Sequence, residues 1–198
     1  MKTFNLFLLF IATLFVTSCQ NSNKANDNEE DAMNTEMDAD NPNMDEMNPA
    51  PVIVQLESKS GSNLSGTATF EQSNGKVHLT ATINGLSEGE HAIHIHENGD
   101  CSSDDGKSAG GHWNPTNQPH GKWGSSEGYH KGDIGNFSVG SNGVGTVDFS
   151  TDEWCIGCND PQKDILGKGL IIHEGTDDFT SQPSGAAGTR VGCGVIKR

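Results

Sequence analysis

Beyond residue 50 the chain alternates between apolar and polar positions. In residues 76–83, Lys-Val-His-Leu-Thr-Ala-Thr-Ile, every second position is apolar, the period of a strand with one buried face. Asn74-Gly75, just before it, suits a tight hairpin turn. Short apolar runs broken by Gly, Asn and Ser recur at 52–57, 64–71, 90–97, 132–139, 144–149, 168–173 and 191–196, with a second Asn-Gly turn at 142–143. Eight short strands, two long glycine-rich connections and no helix-period segment in this region predict an all-β sandwich or flattened barrel.

The first fifty residues follow other rules. Met1-Lys2, an apolar stretch from Phe4 to Val16, and Thr17-Ser18-Cys19 form an export signal over 1–18, too short to be a membrane span. Val16-Thr17-Ser18-Cys19 resembles a bacterial lipobox, which makes Cys19 the expected lipidation site and mature N-terminus. The expected location is the bacterial cell envelope, lipid-anchored to a membrane and periplasmic or surface-facing. Residues 20–50 carry nine acids against Lys24 and no aromatic, so 19–50 read as a disordered acidic tether. Met33, Met37, Met44 and Met47 lie in it, and thioethers are soft donors suited to Cu(I). A solvated spacer is the simpler reading, because a flexible chain implies no fixed ligand geometry. The folded domain is then 51–198.

Charge narrows the partners. The 198 residues hold 12 Lys and Arg against 27 Asp and Glu, for a net charge of −15, and no basic stripe. Such a chain cannot track a phosphate backbone, which excludes nucleic acid. Only 32% of residues are hydrophobic, so the core is modest and crosslinks or metals are expected to add order. Setting Cys19 aside, four cysteines remain in an exported domain, an even number that fits disulfides. Cys155 and Cys158 form a CxxC pair, open to reading as a local disulfide, a redox couple or half a zinc site. Without a βαβ context or a second CxxC, a structural disulfide is favoured.

The histidines carry the chemistry. On a strand through 90–97, residues two apart share a face, so His94 and His96 point one way while His91, Ile93 and Ile95 point into the core. His91 then reads as a hydrogen-bonded core residue, and His78 as a solvated one. His112, His120 and His130 occupy a glycine-rich loop, with Asp133 three residues after the last. Three imidazoles and one carboxylate suit four-coordinate Zn(II). His94 and His96 together with His173 form an imidazole-rich set that suits Cu(II).

Read as words, these residues resemble a copper-zinc superoxide dismutase, in a bacterial lipoprotein form. The matching segments are His94-Ile95-His96-Glu97, Gly111-His112-Trp113-Asn114-Pro115, His120-Gly121, His130-Lys131-Gly132-Asp133-Ile134-Gly135-Asn136, Ile172-His173-Glu174 and the run from Gly188 to Ile196. The resemblance implies an eight-stranded Greek-key barrel or sandwich with two long functional loops. It also implies one copper and one zinc ion per chain, with His94, His96, His112 and His173 on copper and His112, His120, His130 and Asp133 on zinc. His112 is the shared, bridging ligand. Asp177 matches the outer carboxylate that joins a zinc histidine to a copper histidine, with Asp178 as a neighbouring substitute. Arg190 matches the arginine that orients the superoxide anion. Cys101 pairs with Cys193, a closure expected to contribute about 3 to 5 kcal/mol.

The implied reaction converts two superoxide ions and two protons into oxygen and hydrogen peroxide, with copper cycling between two oxidation states. On reduction His112 would release copper, take a proton and later return it to the reduced substrate. The domain carries ten basic and eighteen acidic residues, so attraction of the anion must be local, from Arg190, the metals, Lys122 or Lys131. A rival reading is a copper-binding or copper-delivery lipoprotein without turnover; the full ligand set with Arg190 speaks against it. Zinc-assisted hydrolysis ranks last, since four ligands already fill the zinc. A homodimer and a protein copper donor are compatible with the sequence, and neither is specified by it.

Overall fold

The computed structural model describes residues 49–198. The export segment, Cys19 and Met33, Met37, Met44 and Met47 lie outside the described residues. The strands are β1 (Val52–Ser58), β2 (Ser65–Ser73), β3 (Lys76–Asn84), β4 (Gly89–His96), β5 (Gly135–Val139), β6 (Val144–Thr151), β7 (Gly169–His173) and β8 (Arg190–Val195). All eight predicted strands are present. Residues 132–134, expected to open β5, instead form a loop: the Gly132 carbonyl still accepts from Ile95 of β4, but the Gly132 amide turns away to the Trp113 carbonyl of the preceding loop. A short 3₁₀ turn at Lys107–Ala109 adds to the strands and carries no periodic signal in the sequence.

The alternation read from the sequence sets which face is buried. Val52, Val54 and Leu56 of β1 and Val77, Leu79, Ala81 and Ile83 of β3 point inward, while their neighbours are wet or half-buried. They meet Phe70, Ile93, Ile95, Leu170 and Ile172 in one core. Antiparallel pairing runs β1-β2-β3-β6-β5-β4-β7-β8 and closes through Glu57 opposite Cys193 and Ser58 opposite Gly192. Closure leaves no open sheet edge. The Asn74-Gly75 turn has both residues at positive φ, 50° and 73°, the geometry that matches strand twist in a two-residue hairpin.

β4 departs from simple alternation, and this positions the site. Ile93 and Ile95 enter the core, yet His94 and His96 on the other face are also buried, at 0% and 1% exposure. Two connections cover that outer wall: residues 97–134 between β4 and β5, and 174–189 between β7 and β8. A third long connection, 152–168, joins β6 to β7. Disulfides Cys101–Cys193 and Cys155–Cys158 are both formed. The first ties the 97–134 loop to β8; the second lies within the 152–168 loop.

Candidate metal centre

Strand register brings the first group together. β4 and β7 pair with His94 opposite Ile171, and β7 and β8 pair with His173 opposite Arg190, beside a bulge at Ile172/His173. An isolated bridge joins His96 to His112. Facing ligand atoms of His94, His96, His112 and His173 lie within 4.8 Å of one another, and so do those of His112, His120, His130 and Asp133. His112 belongs to both groups. All seven residues are buried.

Four of the rings, His94, His96, His173 and His120, are aimed by a hydrogen bond on the side away from their group. Nε2 of His94 donates to Oδ2 of Asp177 at 2.8 Å, and Nδ1 of His96 to the Gly110 carbonyl at 3.0 Å. Nδ1 of His173 donates to the Gly188 carbonyl at 3.4 Å. Nε2 of His120 donates to Oδ1 of Asp177 at 2.9 Å, while within the second group Nδ1 of His112 faces Oδ1 of Asp133 at 2.8 Å. Asp177 therefore joins one histidine of each group. Asn136 fixes it in turn, accepting from its amide at 2.8 Å and donating to its carbonyl at 2.9 Å. Asp178 is exposed and bonds Ser181 and Thr180 instead, so it is no substitute.

What remains is a set of buried nitrogens that make no well-aligned hydrogen bond: Nδ1 of His94, Nε2 of His96, Nε2 of His112, Nδ1 of His120, Nδ1 of His130 and Nε2 of His173. Of these, only Nδ1 of His120 and Nδ1 of His130 lie near an opposite charge, 3.0 and 3.3 Å from the carboxylate of Asp133, itself a member of the second group. Buried polar atoms are rarely left unsatisfied, because each costs about 1 to 3 kcal/mol. Six converging on two points are the signature of donors that await an electrophile. Second-layer hydrogen bonds that fix ring orientation are the usual support for metal ligands. The first group offers four imidazole nitrogens, fitting copper; the second offers three and a carboxylate, fitting tetrahedral zinc.

Electrostatics divides the rings. Burial, followed by repulsion from neighbouring imidazoles, holds His96 and His173 well below the usual histidine range. Burial also lowers His112 to about 4, against the pull of Asp133. These rings present lone pairs at neutral pH. Burial opposes charge on His120 as well, but Asp133 and Asp177 outweigh it and raise that ring to about 9. Asp133 stays far below the ordinary carboxylate range: burial works against it, and His112, His120 and His130 more than compensate.

The first group opens on a cavity of about 380 Å³ lined by His96, His112, His173 and Arg190. Arg190 is the only Lys or Arg on that lining, and its guanidinium donates to the Gly106 carbonyl at 2.9 Å. Lys122 does not line it, and Lys131 is ion-paired with Glu153, which removes it as a free attractor. His91 lies in the core between the carbonyls of His173 and Ser87, and His78 is half-exposed beside Asp148. Sequence reading gave no role to Asn136, Gly110, Gln182 or Gly185. Asn136 and Gln182 bond backbone atoms 41 and 62 residues away, Gly110 acts through its own carbonyl and Gly185 through its bare Cα, and none of these leaves a local pattern.

Comparison with known proteins agrees in extent and detail. A family model described as copper/zinc superoxide dismutase matches residues 64–196. Copper-zinc superoxide dismutase 3 of Arabidopsis thaliana is 38% identical over 142 residues, covering 68% of this chain and 84% of that protein. The extracellular copper-zinc superoxide dismutase of Caenorhabditis elegans is 36% identical over 144 residues, covering 70% and 63%. Among solved structures, clock protein EA4 superposes with a TM-score of 0.67 at 35% identity, covering 75% of this chain and 94% of that one. A double mutant of a SOD-like protein from Bacillus subtilis gives 0.66 at 33% identity, covering 74% and 97%.

Proposed function

From the premise that the chain belongs to the copper/zinc superoxide dismutase family and is an enzyme of that type, we propose that it works as follows. It converts two superoxide ions and two protons into oxygen and hydrogen peroxide. His94, His96, His112 and His173 hold copper; His112, His120, His130 and Asp133 hold zinc. When bound, copper supplies a one-electron couple and zinc a fixed positive charge. The observation that carries this reading is the convergence of six buried imidazole nitrogens without well-aligned hydrogen bonds, together with the Asp133 carboxylate, on two adjacent points.

The chain's own residues do the rest. His112 is a bridging ligand, presenting Nε2 to the first group and Nδ1 to the second, so the one ring proton of the neutral imidazole must leave before both nitrogens can serve. Nε2, which faces the cavity side, is the atom that takes up a proton and gives it back during turnover. Arg190, anchored by Gly106, offers preorganised donors to a small anion where no other Lys or Arg lines the cavity. Asp177 orients His94 and His120 together. Cys19 carries the lipid that anchors the chain in a bacterial envelope, with 19–50 as its tether.

The test is superoxide consumption by the full chain loaded with copper and zinc, beside His112→Ala and Arg190→Ala. We expect fast turnover that falls by about 10² or more in Arg190→Ala, the usual cost of one preorganised donor, and further in His112→Ala. Stoichiometric copper binding with negligible turnover would overturn the reading.

A further inference from the structure

The loop 174–189 contributes no ligand to the second group, yet it makes three hydrogen bonds to one of that group's residues. Asp177 takes the ring of His120. The other two come from a single side chain. Oε1 of Gln182 accepts from the His120 backbone N–H at 2.9 Å, and Nε2 of Gln182 donates to the His120 carbonyl at 2.9 Å, across 62 residues of sequence. His120 is 3% exposed, and neither of its backbone groups has another hydrogen-bond partner among the described residues. Backbone polar groups at a buried residue must be paired, and here one amide does both.

We propose that Gln182 is a positioning residue for the zinc group. It fixes the backbone of His120, as Asp177 fixes the ring, and so ties retention of zinc to a loop that lines the entrance to the other group. Gln is suited to this and its analogues are not. A carboxylate accepts from the N–H but repels the carbonyl, and Asn is a methylene too short to span the same gap. The inference rests on the assignment of His112, His120, His130 and Asp133 to zinc.

The test uses the full chain with Gln182→Ala and Gln182→Glu. Four readouts are taken: zinc release to a chelator, the absorption spectrum of Co(II) placed in the zinc group, the Cu(II) resonance spectrum, and hydrogen exchange at the His120 amide in metal-free protein. In Gln182→Ala we expect zinc to leave about five- to tenfold faster, the equivalent of one or two partly exposed hydrogen bonds. The His120 amide loses protection, the Co(II) spectrum changes and the Cu(II) spectrum stays parental; Gln182→Glu falls between. A parental release rate in Gln182→Ala overturns the inference alone, as does loss of both metals together, which would mark general destabilisation. A parent that takes up no zinc at these residues overturns the ligand assignment and the inference with it. Should Gln182→Ala fail to fold, Gln182→Glu carries the same readouts.

Discussion

Gly185 packs its bare Cα against the carboxylate of Asp177. A Cβ at this position would collide with Oδ1 of Asp177 and lie 2.6 Å from Nε2 of His120, at a φ of +67° that already disfavours a side chain. The hydrogen bond joining the two proposed metal groups thus passes under a glycine.

Gly185→Ala should therefore damage both groups at once. Gly167→Ala is the matched control, since its φ of +78° imposes the same backbone strain with nothing within 4 Å. We expect Gly167→Ala to cost about 1 kcal/mol and Gly185→Ala at least about 2 kcal/mol more, with lower copper and zinc content in the latter. Thermal unfolding with metal analysis checks this. Equal losses in the two variants would show that Asp177 can move aside.

Zinc binding should release a proton. A raised histidine pKa stabilises the metal-free fold fully below the unfolded value near 6.5, and that contribution fades as pH rises through about 9. At neutral pH His120 is then charged and must lose a proton before Nδ1 can ligate. Zinc affinity should climb by about tenfold per pH unit up to about 9, with about one proton released per zinc. Adding copper afterwards should release another, from the second nitrogen of His112. Calorimetry in buffers of different ionisation enthalpy reads both. Zinc uptake that leaves the buffer untouched would contradict the cationic state of His120.

Tyr129 is the single tyrosine of the chain, so its titration can be assigned without mutation. Burial and the adjacent Glu153, which accepts its hydroxyl at 2.5 Å, push it up to about 12. Its contribution to stability is present below the ordinary value of 10 and lost as pH rises through about 12. The phenolate absorbance of the folded chain should have its midpoint near the upper value. A midpoint near 10 would mean that the contact with Glu153 is not kept in solution.

The two disulfides should differ in weight. Cys101 and Cys193 are 92 residues apart, Cys155 and Cys158 only 3. Loop-closure entropy gives about 4 to 5 kcal/mol for the first and about 2 kcal/mol or less for the second. The short one is also backed by Asp164, which accepts from the amides of Gly157, Asn159 and Leu166. Paired Cys→Ser variants compared by denaturant unfolding should rank in that order. Opening the long one should also lower activity before the fold is lost, because Gly106, the anchor of Arg190, lies in the loop it tethers.

Much of this was readable in the chain, for identifiable reasons. Parity along 76–83 and 90–97 fixed which side chains face inward, since a strand has no third option. Clustered histidines could be grouped by loop and strand. Parity did not show that both faces of β4 are buried, because the covering loops obey no period. Gln182 and Gly185 were invisible for the same reason. One acts on a backbone 62 residues away, and the other acts by lacking a side chain. Lys131 reads as a free charge in the sequence because its partner Glu153 lies on another loop.

His94 and His96 share a strand with Ile93 and Ile95 but not a face. Ile93 and Ile95 seal the barrel while His94 and His96 stand on its outer wall, under loops of their own. Assembly can therefore proceed in two stages, with the barrel collapsing around its aliphatic interior and the ions arriving afterwards at a wall already built. A cell would have to deliver metal only to a finished object, and an unloaded chain would remain a recruitable intermediate instead of debris.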